Sequence, residues 1–514
     1  MKKYIVLTIL GMSIGLTTQA QDINDALRYS QTNINGTARF RAMGGAFTAL
    51  GGDLSAISIN PASSAVFINN QFGFTLSNYS LNNKSDYMGT QSSRTHNNFD
   101  LNQMGAVFVF ENEEEESGWK KFTIGINYDS QNSFTNKTFS KGFNTISVDK
   151  FFLNNANGVP LNLLQTMPGE SARSLYTYLG ENYGSSYQTA FLGYDTYILD
   201  AANNNPQNTQ YVSNVPQGTF EHYNYMTQAG YNGKIAFNFA AQYEKFYFGM
   251  NLNGHFVDYT RMQTFYETNE NPINPSGETI REIQYQEELY TYGSGFSLQL
   301  GGIARITDEF RMGLSYESPT WYRLNDESMQ RVSTYRIDTS NPSNNLLNAY
   351  FDEGVVNIFP EYKLQSPSKY TIGGAYVFKN IGLISVDYSL KDYSGTKLKA
   401  TTHSQDYSVP NNMMSDVLRV ASEVRVGAET RVNQWSFRGG YNYQESPYAK
   451  NSAIGDLQQY SLGFGYNFGS TKLDMAYSRT QRESNQSLFQ TGLTDAPKIE
   501  TVTNNIFLTL LFEF

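Results

Sequence analysis

Apolar side chains recur at every second position in many separate stretches of this sequence, and this alternation limits the possible folds more than any other feature. Successive side chains of a β-strand point to opposite faces, so the alternation predicts strands with one apolar face. Each stretch approaches the roughly 9–11 residues with which a tilted strand crosses a bilayer. The clearest stretches are 72–76, 122–128, 235–239, 246–252, 310–316 and 384–390. The pattern therefore predicts a protein that crosses a membrane with strands.

The connections between these stretches alternate between short and long. Short ones such as Glu244-Lys245 and Asn433-Gln434 are expected to be hairpin turns. Long ones are expected near 82–97, 131–231, 262–280, 325–355, 394–416, 446–457 and 483–499. Short periplasmic turns and longer outer loops are typical of bacterial outer-membrane barrels. We therefore predict an all-β fold, a transmembrane antiparallel β-barrel of about 14 strands, with both chain ends on the periplasmic side.

The composition agrees with such a barrel. Aromatic residues make up 15% of the chain and charged residues 16%, and the mean hydropathy is -0.47. Lipid-facing and lumen-facing residues alternate in a transmembrane barrel, so a polar average accompanies many aromatic residues. The absence of cysteine excludes disulfides and thiolate sites. The net charge of -10 argues against a nucleic-acid partner.

The first residues predict an export signal. Lys2 and Lys3 precede a largely apolar run over 4–16, and the small residues Thr18 and Ala20 stand at the two positions that a signal peptidase reads. The apolar run is shorter than the roughly 20 residues of a membrane-spanning helix. We expect a signal peptide over 1–20.

The last residues predict an assembly signal. Large apolar residues occupy every second position of 506–514, and the chain stops on a phenylalanine. This pattern resembles the C-terminal signal of outer-membrane proteins, so Phe512 and Phe514 are expected to be recognised by the barrel-assembly machinery. An ordinary core strand is the alternative interpretation.

Residues 21–70 lack the strand pattern. A short helix is expected near 22–29, and a stretch rich in glycine and alanine follows over 41–53. Small residues let backbone elements pack closely, as they must inside a lumen, and Pro61 is expected to end the element before it. We therefore divide the chain into a signal at 1–20, a lumenal unit at 21–70 and a barrel at 71–514.

The segment 131–231 is too long for a plain loop. We expect part of it to fold as helices over the mouth of the barrel. Its apolar residues allow two interpretations, a ligand-binding platform or a loop that packs on itself and plugs the barrel. The residues predicted to form the outer ligand site are Phe151, Phe152, Leu161, Leu163 and Leu164.

No motif for catalysis or cofactor binding stands out. The four histidines lack the spacing of a metal site, and the acidic run 111–116 is interpreted as a solvated turn. The glycines of 463–469 have the wrong spacing for a nucleotide loop and lie in a strand pattern. We therefore expect no enzyme activity, no catalytic residues, no metal and no cofactor.

Residues 44–49, Gly-Gly-Ala-Phe-Thr-Ala, followed by Asn60-Pro61-Ala62, resemble the N-terminal hatch of the FadL-type family of hydrophobic-compound transporters. Stretches within 366–373, 386–393 and 426–448 resemble later motifs of that family in the same order. This chain departs from the family pattern where Ser63-Ser64 replaces a frequent glycine. Its outer segment is also long and rich in Asn, Gln and Tyr.

The resemblance implies a fourteen-stranded barrel whose lumen is closed by a hatch. Phe47, Asn60, Pro61 and Ala62 are the implied hatch and gate residues. Hydrophobic small molecules such as long-chain fatty acids would then enter from outside and leave sideways through a gap in the wall, opened by an inward kink in one strand. The stretch 130–143 is the nearest candidate for that kink.

Two functions follow from these expectations. The first is passive uptake of a hydrophobic ligand, with outer-membrane lipid as the destination. The second is a non-transporting barrel subunit of an outer-membrane machine, such as type IX secretion or barrel assembly, with stable envelope proteins as partners. Long loops rich in Tyr and Asn suit protein recognition. A water-filled porin is a third option, which a folded hatch would oppose.

Overall fold

The computed structural model describes residues 23–514 except 115, 276, 339–346, 380, 403–405 and 451–452. The predicted signal peptide at 1–20 lies outside the described residues. None of the helices found in the described ranges is long and apolar enough to span a membrane.

The described residues form strands β1–β22 and helices α1–α6, with four short 3-10 helices. The strands are β1 Gln71–Tyr87, β2 Thr90–Glu111, β3 Trp119–Ser133, β4 Asn136–Asn144, β5 Leu199–Ala201, β6 Tyr211–Ser213, β7 Phe220–Tyr243, β8 Phe246–Thr268, β9 Glu278–Arg305, β10 Phe310–Glu317, β11 Trp321–Asp338, β12 Leu347–Phe351, β13 Asn357–Ile358, β14 Tyr362–Gln365, β15 Lys369–Phe378, β16 Gly382–Asp392, β17 Lys397–Ala400, β18 Val420–Val432, β19 Trp435–Gln444, β20 Ile454–Asn467, β21 Thr471–Asn485 and β22 Lys498–Glu513. The helices are α1 Ile23–Ser30, α2 Ala38–Ala42, α3 Asp149–Ala156, α4 Ala172–Tyr183, α5 Ser185–Asp195 and α6 Ser408–Val417. The 3-10 helices are Ser55–Ser58, Pro61–Val66, Leu161–Leu163 and Tyr393–Gly395.

Within the described part of the chain, fourteen strands close a barrel. Around the ring they follow the order β1, β2, β3, β7, β8, β9, β10, β15, β16, β18, β19, β20, β21 and β22. Every neighbouring pair is antiparallel, and β22 returns to β1 in a ladder from Gln71–Glu513 to Asp86–Lys498. Closure removes the exposed edges that an open sheet would present. The predicted all-β barrel of about 14 strands is confirmed.

The alternating apolar residues lie on the outside of the barrel. On β8, Phe248 is 52% exposed, whereas the intervening Asn251 and Asn253 are fully buried. Strand β7 shows the same arrangement of exposed apolar and buried residues, since Phe237 and Phe239 point outward. An apolar outer band and a polar interior are what a lipid environment requires.

The wall continues beyond the bilayer at one end. Strands β7, β8 and β9 contain 24, 23 and 28 residues. Because roughly 9–11 residues cross the membrane, more than half of each strand lies beyond it. We call this the cap end, and we call the opposite end, where β1 begins and β22 finishes, the terminal end.

The first hairpin differs from the expected long loop at 82–97. Strands β1 and β2 continue through that stretch and turn at Met88 and Gly89, whose φ angles are 52° and 77°. Positive φ at both central positions is typical of tight hairpin turns that match the strand twist. The stretch lacks apolar alternation because this part of the hairpin is polar on its exposed face.

The predicted insertion at 131–231 is shorter in the structure. Strands β3, β4 and β7 take up both of its ends, so that 145–219 remain as a separate layer, here called the cap. The cap contains the expected helices, α3, α4 and α5, and the small hairpin β5–β6. Its buried core also includes Phe351, Leu488, Phe489 and Leu493 from neighbouring connections.

Candidate functional site

The N-terminal segment, residues 23–70, lies inside the barrel on a set of inward-facing glycines. A Cβ atom at any of these glycines would overlap the segment, so only glycine allows the approach. The contacts are Gly249 with Pro61, Gly301 with Asn60, Gly313 with Thr48, Gly427 with Met43, Gly440 with Gly44 and Gly463 with Ala42. We call this set the glycine collar. It explains why several strands carry glycine in their interiors.

Two side chains fasten the segment to the wall. The Asp387 carboxylate on β16 accepts hydrogen bonds from the Phe47 and Thr48 backbone N–H groups at 2.9 and 3.0 Å, and from the Thr48 hydroxyl at 2.7 Å. The Asn60 amide donates to the carbonyls of Thr48 at 2.7 Å and Gly302 at 3.1 Å. Its oxygen accepts from the Ala62 N–H at 3.1 Å. These bonds account for two of the motifs that carry the family resemblance.

All four predicted hatch residues are therefore in contact with the wall or with each other. Phe47, Asn60 and Ala62 have no exposed surface, and Pro61 is buried against Gly249. Their buried contacts fit a fixed closure of the lumen. A gating role for them stays a prediction.

Strand β3 breaks on its way towards the cap end. The β2–β3 ladder runs from Glu111–Lys121 to Gln103–Asp129 and ends there. After Phe134 and Thr135 the chain continues as β4, which pairs with β7. In the described residues the remainder of β2 has ladder partners on β1 alone. The break lies within 130–143, the stretch that the sequence offered as the nearest candidate for a kink.

Strand β4 runs on the inner side of the β1–β2 hairpin. The Ser85 and Ser140 hydroxyl oxygens are 2.6 Å apart, and the Ser92 hydroxyl donates to the Phe139 carbonyl at 2.6 Å. A register shift between Ser130 and Asn132 accompanies the bend, and Gly230 on β7 adopts a φ of 103°. Irregularities of this kind re-aim a strand. The wall is therefore displaced inward beyond Asp129.

The linker between α1 and α2, residues 31–36, covers the inner side of the break. The Asn33 N–H donates to the Gln131 carbonyl at 3.3 Å, and the Asn35 amide donates to the Ser130 carbonyl at 2.9 Å. On the other side, the Gly36 N–H donates to the Asn102 amide oxygen on β2 at 2.6 Å. The linker thus occupies hydrogen-bonding positions between β2 and β3 where their ladder has ended.

Two adjoining cavities lie beside this break. The upper cavity, about 290 Å³, reaches from Leu488 and Met226 below the cap to Arg28 on α1. The lower cavity, about 250 Å³, reaches from Ser133 to Arg41 and Tyr79. Residues shared by both walls are Asn33, Ser133, Arg482, Ser484 and Thr501. Helix α1 borders the upper cavity with Arg28, while its Leu27 and Tyr29 belong to an apolar cluster with residues from β8 to β18.

The predicted outer ligand residues lie elsewhere, in the core of the cap. Phe152, Leu161 and Leu164 are 0%, 1% and 1% exposed, and Phe151 and Leu163 pack against the same core. Neither cavity includes any of the five residues in its wall. Their contacts correspond to the second interpretation, a segment that packs on itself. A ligand site at these residues stays a prediction.

Sequence reasoning missed the residues that line the cavities. Asn33, Asn35 and Asn132 are single polar residues without a local pattern, and Arg41 and Arg482 are 441 positions apart in the chain. The irregular stretch after Asp129 was the one available signal. Among the described residues, no group of three or more histidine, aspartate or glutamate side chains is arranged to hold a metal ion.

Comparison with known proteins gives one family match and several structural matches. Residues 196–504 match the sequence profile described as Outer membrane protein transport protein (OMPP1/FadL/TodX). A FadL homologue from Pseudomonas aeruginosa has a TM-score of 0.51 at 13% identity, over 94% of this chain and 99% of that chain. The toluene transporter TodX from P. putida gives a TM-score of 0.48 at 13% identity, with the same coverage. No curated sequence matches significantly.

Proposed function

Because the chain belongs to the family of outer membrane protein transport proteins (OMPP1/FadL/TodX), we propose that it admits hydrophobic small molecules, such as long-chain fatty acids, by passive diffusion. The ligand leaves laterally, through the break in the wall at β3, and enters the outer-membrane lipid. The outer membrane is the location that the family and the barrel support. No enzymatic step is part of the proposal.

The proposed orientation has the cap outside the cell and both chain termini in the periplasm. Bacterial outer-membrane barrels have short periplasmic turns and longer extracellular loops. Here Glu244-Lys245 and Asn433-Gln434 make short turns at the terminal end, and the cap covers the other end.

The route is proposed to run under the cap, through the two cavities, and out past the linker. The glycine collar and the N-terminal segment obstruct the direct route to the terminal end. An apolar ligand gains on the order of 0.8 kcal/mol per buried CH₂, so a lateral exit into lipid avoids returning that surface to water. Transfer down a concentration gradient needs no other energy source.

One observation carries the proposal: the β2–β3 ladder ends beside the cavities, and the linker lies across its inner side. A ladder that continued would seal the wall with backbone hydrogen bonds. Displacing six linker residues breaks far fewer bonds than opening two paired strands. The linker is therefore the element whose movement would admit ligand to the break.

The experiment fastens the linker to β2. Asn35 and Asn102 both hydrogen-bond the Tyr79 hydroxyl, so their side chains lie close together. In the cysteine-free chain, the Asn35→Cys/Asn102→Cys pair can be bridged with a short bifunctional methanethiosulfonate. We expect bridging to abolish uptake of radiolabelled oleate by cells, and reduction to restore it.

A second pair provides the matched control. Ser85→Cys/Ser140→Cys joins β1 to β4 across a 2.6 Å hydroxyl contact without touching the linker. Its bridging is expected to leave oleate uptake unchanged. Normal uptake through the bridged Asn35/Asn102 variant would mean that ligand does not pass the linker.

The cap favours a second candidate function, a fixed subunit of an outer-membrane protein machine. Tyr178, Tyr183 and Tyr187 form a cluster of rings on α4 and α5, with centroid distances of 6.0 and 4.8 Å. Clustered tyrosines supply rigid contact area for a protein partner. Extraction in mild detergent followed by mass spectrometry separates the two functions. A transporter is expected to emerge without stoichiometric envelope proteins, and a machine subunit with them.

A further inference from the structure

We propose that the two cavities form a site for a short organic acid that carries hydrogen-bonding groups, with its carboxylate held by Arg41 and Arg482. The inference rests on the proposed uptake function and names the class of molecule that this chain selects. It concerns affinity: polar acids bind in these cavities more tightly than neutral hydrocarbons or fatty acids, which pass through with lower affinity.

The charge of the cavity walls is the first observation. Across the described residues, neither wall contains an aspartate or glutamate side chain, and the walls include Arg28, Arg41 and Arg482. The whole chain has a net charge of -10. Arg28 has an acidic partner in Asp25 at 2.5 Å. The other two guanidinium groups therefore leave the cavities positively charged in an acidic protein, and such a field attracts anions.

Arg41 on α2 is the more buried of the two, at 3% exposure. Its Nε donates to the Ser478 hydroxyl at 3.2 Å, and its Nη2 lies 3.2 Å from the Asn505 amide. In the described residues Nη1 has no hydrogen-bond partner. Burial lowers the pKa of Arg41 to about 10, so the group stays cationic at neutral pH. A buried cation without a counter-charge is costly, and a bound carboxylate would relieve that cost.

Arg482 on β21 lies where the two cavities meet. Its Nη1 donates to the Gln31 amide oxygen at 2.8 Å and its Nη2 to the Gln444 amide oxygen at 3.3 Å. Its Nε has no partner among the described residues. Neutral amides orient the guanidinium without neutralising it. Arginine presents its donors in a fork that matches a carboxylate, so both arginines are suited to the same kind of ligand.

Other arginines of the lumen show what a purely structural arginine looks like in this protein. Arg39, from the same helix as Arg41, bonds the Glu429 carboxylate at 2.8 Å. Arg438 bonds Glu429 at 2.7 Å, and Arg425 bonds Glu423 at 2.5 Å. These three arginines thus carry acidic partners. Arg41 and Arg482 differ from them by facing the cavities.

The walls also favour polar groups on the ligand. Amide and hydroxyl side chains predominate in both cavities, and the Asn442 oxygen and the Gln459 nitrogen lack partners within the described part of the chain. A long alkyl chain would leave such groups without hydrogen bonds, which is unfavourable. Each cavity lies at or below the lower end of the roughly 300–1,000 Å³ range of drug-sized sites. A small acid with a hydroxyl group or similar substituent therefore fits best.

The experiment measures equilibrium binding to the purified full-length barrel in a zwitterionic detergent by calorimetry. Three probes of similar size separate the requirements: 3-(4-hydroxyphenyl)propionate, its neutral alcohol 3-(4-hydroxyphenyl)propan-1-ol, and decanoate. We expect the hydroxylated acid to bind at least tenfold more tightly than the alcohol, and more tightly than decanoate. Equal binding of acid and alcohol would overturn the role of charge. Tighter binding of decanoate would overturn the role of the polar walls.

Variants assign the effect to the two arginines. Arg41→Gln and Arg482→Gln are each expected to weaken binding of the hydroxylated acid about tenfold, because a charge-assisted bond is replaced by a neutral one. Arg479→Gln is the matched control, since Arg479 lies on the same strand as Arg482 but is exposed on the outer face. Heat-modifiable migration on gels reports whether each variant has folded. If Arg41→Gln does not fold, Arg482→Gln and the three probes on the wild-type protein still test whether the cavities bind the carboxylate.

The outcome is distinguishable from failure of uptake itself. Normal oleate uptake without binding of the hydroxylated acid would remove this inference and leave the proposed function intact. Binding of the acid without any uptake would keep the site and contradict transport. Unchanged affinity in both glutamine variants would show that the anion binds elsewhere.

Discussion

At the scale of single residues, the N-terminal segment is held by a few polar side chains that each make several bonds. Asp387 on β16 receives three hydrogen bonds from Phe47 and Thr48, and its partners lie 339 or 340 positions away in the chain. Hydrogen bonds to a charged acceptor contribute more than neutral ones. Such residues are expected to hold the N-terminal segment in the lumen.

Asp387→Ala is expected to lower the free energy of unfolding in lipid vesicles by about 3 kcal/mol, because three buried donors lose a charged acceptor. The measurement is urea-induced unfolding followed by tryptophan fluorescence. Asp308→Ala is the control, since that side chain is 86% exposed in a turn and its ion pair with Arg305 spans 3.7 Å. A surface pair of this kind contributes little. Equal effects of the two substitutions would contradict the anchoring role of Asp387.

Inward-facing glycines are the second residue-scale feature. Gly313→Ala is expected to push the segment away from β10, because the added Cβ would meet the Thr48 carbonyl and the Ala49 backbone. Overpacking of this kind costs about 1–3 kcal/mol. In the purified Gly313→Ala barrel, the rate at which a protease cleaves residues 23–70 is expected to rise. Gly254→Ala on β8 is the control, since its Cβ would meet nothing within 4 Å, and identical cleavage rates would contradict the collar.

At the scale of elements, a buried carboxylate is one of the groups that attach the cap to the barrel. Glu267 on β8 accepts from the Ser147 hydroxyl at 2.6 Å and the Val148 N–H at 2.8 Å, immediately before α3. The His222 ring nitrogen lies 2.9 Å from the same carboxylate. An acceptor here also lies near the positive end of the helix. The cap is therefore fastened to the wall at the beginning of its first helix.

Glu267→Ala is expected to loosen the cap without opening the barrel. Amide hydrogen exchange over 145–160 should accelerate by at least tenfold, because the Ser147 hydroxyl, the Val148 N–H and the histidine lose their partner. Strand β22 should keep its protection. Glu270→Ala, in the exposed connection that follows β8, is the control. Unchanged exchange in the cap would mean that Glu267 is not needed to hold the cap in place.

The elements also show which parts of the fold could be predicted from sequence. The outward faces of β7 and β8 were predictable because lipid selects apolar side chains at every second position. The hairpin over 82–97 was not, since its exposed polar strands lack that selection. The break after Asp129 depends on the register shift against β7 and on the linker, and neither leaves a periodic signal.

The site itself was predictable only in part. The motif with Asn60 and Pro61 was recognisable, because both residues lie in close contact with the wall. The five apolar residues of the outer segment were assigned to a ligand platform, but a helix that packs on other helices shows the same composition. The cavity walls combine residues from α1, β3, β20, β21 and β22, which only the closed barrel brings together.

At the scale of the whole molecule, the barrel is closed at the terminal end by its own N-terminal segment and covered at the other end by the cap. In the proposed route, the ligand turns sideways at the break in β3. This arrangement suits the transfer of a ligand into lipid, and it opposes a continuous aqueous pore.

The most direct measurement of the central claim is the initial rate of radiolabelled oleate uptake by cells that lack their own transporter. Cells that produce this protein are expected to take up oleate several-fold faster than cells that do not. Because the transfer is passive, an uncoupler should leave the first seconds of uptake unchanged. Rates equal to those of cells without the protein, with the barrel folded in the outer membrane, would contradict uptake as its function.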